Sequence, residues 1–230
     1  MSSPNNTEKF NTFETLFISN LDQLQKNYPS IREISILDKD IIYHQGSHCS
    51  YLFWIRQGIV KISHVTEQGN TLTTALLKQG DLFGNLQDTS ASQTMEETAQ
   101  ALGKVSFMRI EYNDFKTLMY HQAELSWHVF EMIYTRKQLA EKKLHRFMTQ
   151  PVETRIMATL LELADIFGIR CSHGFSLEIH LTQQDVADLV GASRSVVSTI
   201  LNDFRNRGIL DYTREQICIN DTAFVDLCNY

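Results

Sequence analysis

Thr182–Arg207, TQQDVADLVGASRSVVSTILNDFRNR, reads as two short amphipathic helices joined by a tight turn. Thr182 followed three residues later by Asp185 is a helix start: a hydroxyl for the orphan N–H groups and an acid at the positive end of the helix dipole. Val186, Leu189 and Val190 then fall on one face, with Ala187 small enough to admit a second helix. Gly191 stops the first helix, because glycine takes the left-handed terminus without a Cβ penalty. Ser193 caps a second helix whose inward residues are Val197, Ile200, Leu201 and Phe204, which leaves Arg194, Ser195, Ser198, Thr199 and Asn202 facing outward. Short hydrogen-bonding side chains beside a forked guanidinium, at the front of a helix, suit the edges of bases in a major groove. The spacing therefore predicts a helix-turn-helix.

The rest of the chain supports that motif. Its 230 residues suggest two domains, and a hydrophobic content of 43% suffices for packed cores. No run of about 18 apolar residues occurs, so no membrane span is expected. MSSPNNTEKF at the start is polar and lacks a secretory pattern, which predicts a cytoplasmic protein. Four scattered cysteines, Cys49, Cys171, Cys218 and Cys228, form no CxxC pair and fit a reduced compartment, with an intramolecular redox pair left open by their spacing. His44, His48 and Cys49 lie in a segment that reads as extended, where an i, i+4 spacing does not bring two histidines together, so no metal site is expected. The net charge of −6 weighs against a nucleic-acid partner, but the distribution corrects this. Four of the six arginines after Thr149 lie between Arg194 and Arg214, predicting a locally basic face on an acidic domain and a shallow salt dependence.

Phe13, Leu16, Phe17, Leu21 and Leu24 predict a helix over 11–28, ending before Pro29. From Ile31 to Ile110, short runs rich in Ile, Val, Tyr, Phe and Thr alternate with glycines, the texture of a small antiparallel barrel that can be packed solid or hold one small ligand. Tyr120 to Phe147 has no Pro or Gly and predicts one long helix. Val129, Ile133, Arg136, Ala140, Leu144 and Phe147 recur along it at steps of three and four, a seam for a second copy of the chain. Arg136 in that seam needs an acid, either Glu141 of the partner helix or an anionic ligand. Pro151 interrupts, a further helix runs to Gly168, and FSLEIHL, the helix pair, GILDY and QICIND complete a winged helix. The expected fold is α+β. The antiparallel sandwich or barrel spans 1–119, a dimerisation helix 120–148, and a winged helix-turn-helix 149–230.

QGIVKI, LKQGDLFGNL, the long helix and LTQQDVADLVGASRSVVSTILNDFRNRGIL together resemble the catabolite activator/fumarate-nitrate regulator (CRP/FNR) superfamily of transcription factors over nearly the whole chain. LELADIFGIRCSHGFSLEIHLTQQDVADLVG looks most like its cyanobacterial nitrogen-control branch. The resemblance implies that residues 1–119 form a β-roll sensor domain of the double-stranded β-helix type, and that the protein is a homodimer that reads a two-fold symmetric site on double-stranded DNA, with half-sites about one helical turn apart, and contacts RNA polymerase. DNA contact is expected from Thr182, Gln183, Ser193, Arg194, Ser195, Ser198 and Thr199; the resemblance puts Arg194 on a guanine, while Thr199 stands where members commonly carry a second arginine and Ser195 where many carry a glutamate.

Effector residues carry over less well. The ligand cassette of the cyclic-AMP binders corresponds to Phe83, Gly84, Asn85 and Leu86, but their phosphate-binding Arg-Ser pair corresponds to Met95 and Glu96. A thioether and an acid do not hold a cyclic phosphate, and Glu97 adds to the repulsion, so cyclic AMP is not expected. An iron-sulfur cluster is not expected either, since Cys49 alone precedes Cys171. Arg136 and Glu141 match the two long-helix positions that bind 2-oxoglutarate in the nitrogen-control branch, while Met95 replaces a third, cassette-side arginine. 2-Oxoglutarate, haem and the absence of any ligand stay open. The competing class, a cupin-like enzyme, wants an HxH pair on a strand, and none occurs.

Overall fold

The structure is a computed structural model and describes residues 21–86, 94–177, 179–213 and 216–220. The chain divides into two compact units, Met1–Gly69 with Thr74–Leu139 and Asn70–Thr73 with Ala140–Tyr230, each described here by itself.

The first unit opens on helix α1 (Leu21–Asn27) and strands β1 (Arg32–Ile36), β2 (Ile41–Tyr43), β3 (Tyr51–Val65), β4 (Thr71–Leu77), β5 (Leu82–Gly84) and β6 (Thr98–Glu111). The part of the expected first helix before residue 21 lies outside the described residues. All pairings are antiparallel, in the order β1-β6-β3-β4, with β2 on β6 and β5 on β3. The two long strands β3 and β6 pair from Tyr51↔Glu111 to Ser63↔Thr98 and shift register on either side of Gln57. Such irregularities bend a ladder, so one strand pair can wrap around a roll. Gly58 is required at that bend: its φ is +90°, and a Cβ there would lie 2.4 Å from the Lys104 carbonyl.

Alternation along β3 sorts side chains into two cores. Phe53, Ile55, Val60 and Ile62 turn into the roll, where Phe83, Met95, Ala99, Ala101, Val105 and Phe107 meet them. Leu52 and Trp54 turn outward, with Met108 and Ile110, onto the helices that follow.

Those helices differ from expectation at their junction. Instead of one helix from Tyr120, α2 (Tyr112–His121) ends and α3 (Ala123–Thr149) begins, with Gln122 between them at φ −127°, ψ 83°. The break needs no Pro or Gly because Ser126 repairs it locally. Its hydroxyl donates to the Met119 carbonyl at 2.6 Å, and its N–H to Gln122 O at 3.0 Å. Phe115 and Leu118 of α2 and Leu125 and Val129 of α3 close the outer core. The division between the two units falls inside α3 rather than at either end of it.

The second unit contains α4 (Val152–Phe167), β7 (Gly168–Cys171), β8 (Gly174–Leu177), α5 (Gln183–Val190), α6 (Arg194–Asn206), β9 (Leu210–Tyr212) and β10 (Ile217–Asn220). The strands form an antiparallel sheet in the order β7-β8-β10-β9. Strand β7 is an addition to the expected winged helix. Gly168, expected only as a helix stop, leaves α4 in an extended conformation (φ −79°, ψ 141°) and starts the strand. It must be glycine because a Cβ would sit 2.3 Å from the Ala164 carbonyl. Ile156, Leu160, Leu177, Val186, Val197, Leu201, Phe204, Ile217 and Ile219 are buried in this unit.

Candidate nucleic-acid interface

Helix α5 begins with a reciprocal cap. Thr182 Oγ1 accepts from Asp185 N at 3.1 Å, and Asp185 Oδ2 accepts from Thr182 N at 3.0 Å. Gln183 is its first residue. Gly191 ends it in the left-handed region at φ 59°, ψ 50°. A second reason for glycine there is invisible in the local sequence: a Cβ would lie 2.7 Å from Phe147 Cε1.

Ser193 Oγ accepts from Val196 N at 3.4 Å and starts α6, burying Val197, Leu201 and Phe204 against the unit's core. Arg194, Ser195 and Thr199 are exposed, with Ser198 partly buried beside them. The hydroxyls of Ser193 and Ser195 lie 3.0 Å apart, and Thr199 Oγ1 donates back to Ser195 O at 3.0 Å. Ser193, Arg194, Ser195, Ser198 and Thr199 are thus brought together at the front of one helix, where the sequence placed them.

Charge along α6 separates function from helix stability. The first turn of α5 carries Asp185, as the dipole favours, whereas that of α6 carries no acid and has Arg194 at its first position. A cation at the positive helix end is unfavourable by some tenths of a kcal/mol, so Arg194 is not there for the helix. The same turn offers backbone N–H groups suited to an anion such as a phosphate. Val196, 42% exposed, was missed by the sequence reading and stands in this group. Its methyls are of the kind that meet a thymine methyl. The only sequence signal for it is an apolar residue outside the inward series.

The expected basic face is weaker than the count of arginines implied. Arg205 pairs with Asp211 at 3.3 Å, and Arg207 with Asp203 at 2.9 Å and Glu153 at 3.3 Å. Arg214 lies outside the described residues. Tyr212 of β9 donates to Leu181 O at 3.0 Å, which ties the wing strand to the residue before the Thr182 cap.

On the first unit, the cassette residues are also placed. Phe83 is buried in the roll, Leu86 is exposed, and Asn85 Nδ2 donates to Cys49 O at 3.2 Å. Gly84, at φ +103°, is needed where a Cβ would come within 2.5 Å of Tyr51 O. The rings of Tyr43, Phe53, Phe83 and Phe107 occupy the roll, with Phe53 stacked on Phe83 at 5.1 Å and edge-on to Phe107 at 5.3 Å. Tyr43 donates to Glu97 Oε1 at 2.8 Å, and burial foremost, then the Glu97 charge, pushes the Tyr43 hydroxyl pKa upward.

Arg136 has partners within its own unit. Its Nη2 donates to Leu82 O of its own chain at 2.7 Å and lies 3.9 Å from Asp81 Oδ1. Val129, 6% exposed, belongs to its own core, and Phe147 lies under Gly191 with Arg155 stacked over it at 5.0 Å. Of the other expected seam positions Ile133, Ala140 and Leu144 are exposed, as is Glu141. α3 also exposes aromatic residues outside the expected seam: Trp127 is 63%, Phe130 57% and Tyr134 52% exposed. Their rings form a row, 5.5 Å from Trp127 to Phe130 and 6.5 Å from Phe130 to Tyr134. Among the described residues, no group of three His, Cys, Asp or Glu converges as metal ligands, and no helix is long and apolar enough to cross a membrane.

A β-roll followed by a long helix and a winged helix-turn-helix defines the class of DNA-binding transcription regulators with an N-terminal sensor-type fold. Residues 33–122 match the model of the cyclic nucleotide-binding domain, and residues 154–224 match the Crp-like helix-turn-helix domain. The chain belongs to the CRP/FNR family of transcription factors, whose members are regulators and not enzymes. It is 23% identical over 194 residues to the global nitrogen regulator of Nostoc sp., covering 84% of this chain and 86% of that one. With the cAMP-activated global transcriptional regulator CRP of Salmonella typhimurium it shares 25% over 184 residues, 80% of this chain and 87% of the other. A solved mutant of CooA from Carboxydothermus hydrogenoformans has the same fold, with a TM-score of 0.74 at 20% identity over 88% of this chain and 89% of that chain.

Proposed function

We propose that the protein is a homodimeric, sequence-specific transcription regulator that presents two copies of α6 to a two-fold symmetric DNA site and acts on RNA polymerase, without cyclic AMP as its effector. The observation that carries this reading is Arg194 at the first position of α6, against the helix dipole and beside Ser195, Val196, Ser198 and Thr199. A bidentate arginine–guanine contact contributes about 1–3 kcal/mol of discrimination. The exposed row Trp127, Phe130 and Tyr134 supports dimerisation, because rings this exposed and contiguous on a helix need cover.

The roll does not suit a cyclic nucleotide. Met95 is buried in the aromatic core, Glu96 is exposed, and Glu97 holds the Tyr43 hydroxyl, where the resemblance calls for an arginine and a serine on the phosphate. Two carboxylates at these positions repel that phosphate. Selection of DNA from random sequence by the purified protein tests the proposal. Enrichment of an inverted repeat with half-sites about one turn apart is expected, and failure to enrich any sequence overturns it.

A further inference from the structure

Cys171 and Cys218 are 47 residues apart in the chain, yet their sulfurs are 3.7 Å apart. Sheet register explains how. Cys171 of β7 lies opposite Gly174 of β8, and Cys218 of β10 lies opposite Ser176 of the same strand. Directly opposed residues in an antiparallel sheet share a face, and so do residues two apart. Cys171, Gly174, Ser176 and Cys218 therefore share one face, while Phe175, Leu177, Ile217 and Ile219 take the other, toward the core. Gly174 has no side chain to stand between the two sulfurs. Both cysteines are partly exposed, within reach of a small oxidant.

We propose that Cys171 and Cys218 form an oxidisable dithiol on the sheet of the DNA-reading unit, with Cys171 the attacking and Cys218 the resolving thiol, and a hydroperoxide as the oxidant. The roles follow from the surroundings. Cys171 is the residue before the β7–β8 turn, and the backbone N–H of His173, ahead of other contacts that include the Cys218 thiol and the Gly174 N–H, holds its pKa below the ordinary thiol value. Cys218 is pushed the other way, by burial first and then by its hydrogen bond to Cys171. Reactive thiols combine a lowered pKa with exposure, and Cys171, partly exposed at the end of β7, is shifted in that direction.

The steps balance. Cys171 thiolate attacks the terminal peroxide oxygen, an S–O bond forms, the O–O bond breaks, and the released hydroxide takes a proton to become water. Cys218 sulfur then attacks Cys171 sulfur, the S–O bond breaks, and the departing hydroxide leaves as water with the Cys218 proton. Two thiols and one hydrogen peroxide thus give one disulfide and two waters. A disulfide is about 2.05 Å long, so closure draws β7 and β10 toward each other across β8. β10 in turn carries β9 through Ile217↔Tyr212, Cys218↔Asp211 and Ile219↔Leu210.

The experiment is peptide mapping by mass spectrometry of the reduced full chain after brief exposure to hydrogen peroxide. An intrachain Cys171–Cys218 link, reversed by dithiothreitol, is expected. In Cys218→Ser the sulfenic acid should persist on Cys171 and be trapped by dimedone. In Cys171→Ser no dimedone adduct should form at Cys218 on the same timescale. Link formation in the wild type should accelerate as pH rises, with a midpoint below that of a free cysteine. The proposal is overturned by the absence of the 171–218 link, by links only between chains, or by no dimedone adduct at Cys171 in Cys218→Ser. None of these outcomes depends on whether the protein binds DNA.

Discussion

Arg136 of the long helix donates to the carbonyl of Leu82, 54 residues earlier in the chain, at 2.7 Å. Leu82 N–H meanwhile points to Met132 Sδ, one turn before Arg136, at 3.3 Å. The cassette strand β5 is thus gripped at both backbone groups of one residue by the protein's own helix. Arg136→Ala should lower the stability of the first unit by about 1 kcal/mol, the scale of one partly exposed charge-assisted hydrogen bond. The unfolding midpoint in urea measures this, and Arg136→Lys should recover less than half of the loss, since an ammonium lacks the reach of the fork.

Gly191 answers two demands, a left-handed backbone and the Phe147 ring 2.7 Å from where its Cβ would be. Gly191→Ala should cost about 1–2 kcal/mol. Asn tolerates the left-handed region, so Gly191→Asn would be milder if the backbone alone mattered. The ring contact predicts that it is no milder than Gly191→Ala, as equilibrium unfolding of the two variants would show.

Lys143 donates to Thr73 O at 2.8 Å, and burial pushes its pKa down to about 8, against the opposing pull of Glu162. The folded state therefore binds this proton less well than the unfolded chain does. The resulting penalty on stability is full below pH 8 and is relieved as pH rises from about 8 toward the unfolded value near 10.5. Lys143→Met should remove that dependence. The difference in stability between wild type and variant, followed from pH 7 to 10.5, should shrink as pH rises; a constant difference would contradict the assignment.

On the proposed homodimer, Phe130→Glu should separate the two chains while leaving far-ultraviolet circular dichroism unchanged, because the ring is 57% exposed within its own chain. Sedimentation velocity distinguishes the two species. An unchanged dimer would place the contact elsewhere than on the Trp127–Phe130–Tyr134 row.

The helix-turn-helix was legible because its determinants are local. The Thr182–Asp185 cap, Gly191, Ser193 and the inward series Val197, Leu201 and Phe204 all act within a few residues of one another. The roll was legible from alternation and glycine spacing, and its two cores follow from the opposite facing of Phe53 and Trp54. What escaped depends on partners far along the chain. Val129, read as a seam residue, packs into the core of its own unit, a partner that periodicity cannot see. Arg136 has both an acid, Asp81, and the Leu82 carbonyl beside it, and no local pattern announces either one across more than 50 residues. The break at Gln122 rests on one serine hydroxyl, and the Cys171–Cys218 approach rests on the register of three strands.

The most direct test of the account is the affinity of Arg194→Ala for the DNA site selected by the wild type, measured beside its stability in urea. Arg194 opposes the helix dipole and takes no part in the core, so stability should be unchanged or slightly raised. Affinity should fall roughly 5- to 150-fold, equivalent to about 1–3 kcal/mol, with the preference for guanine lost at one position in each half-site. Unchanged affinity with the guanine preference intact would contradict the reading of α6 as the groove-reading helix.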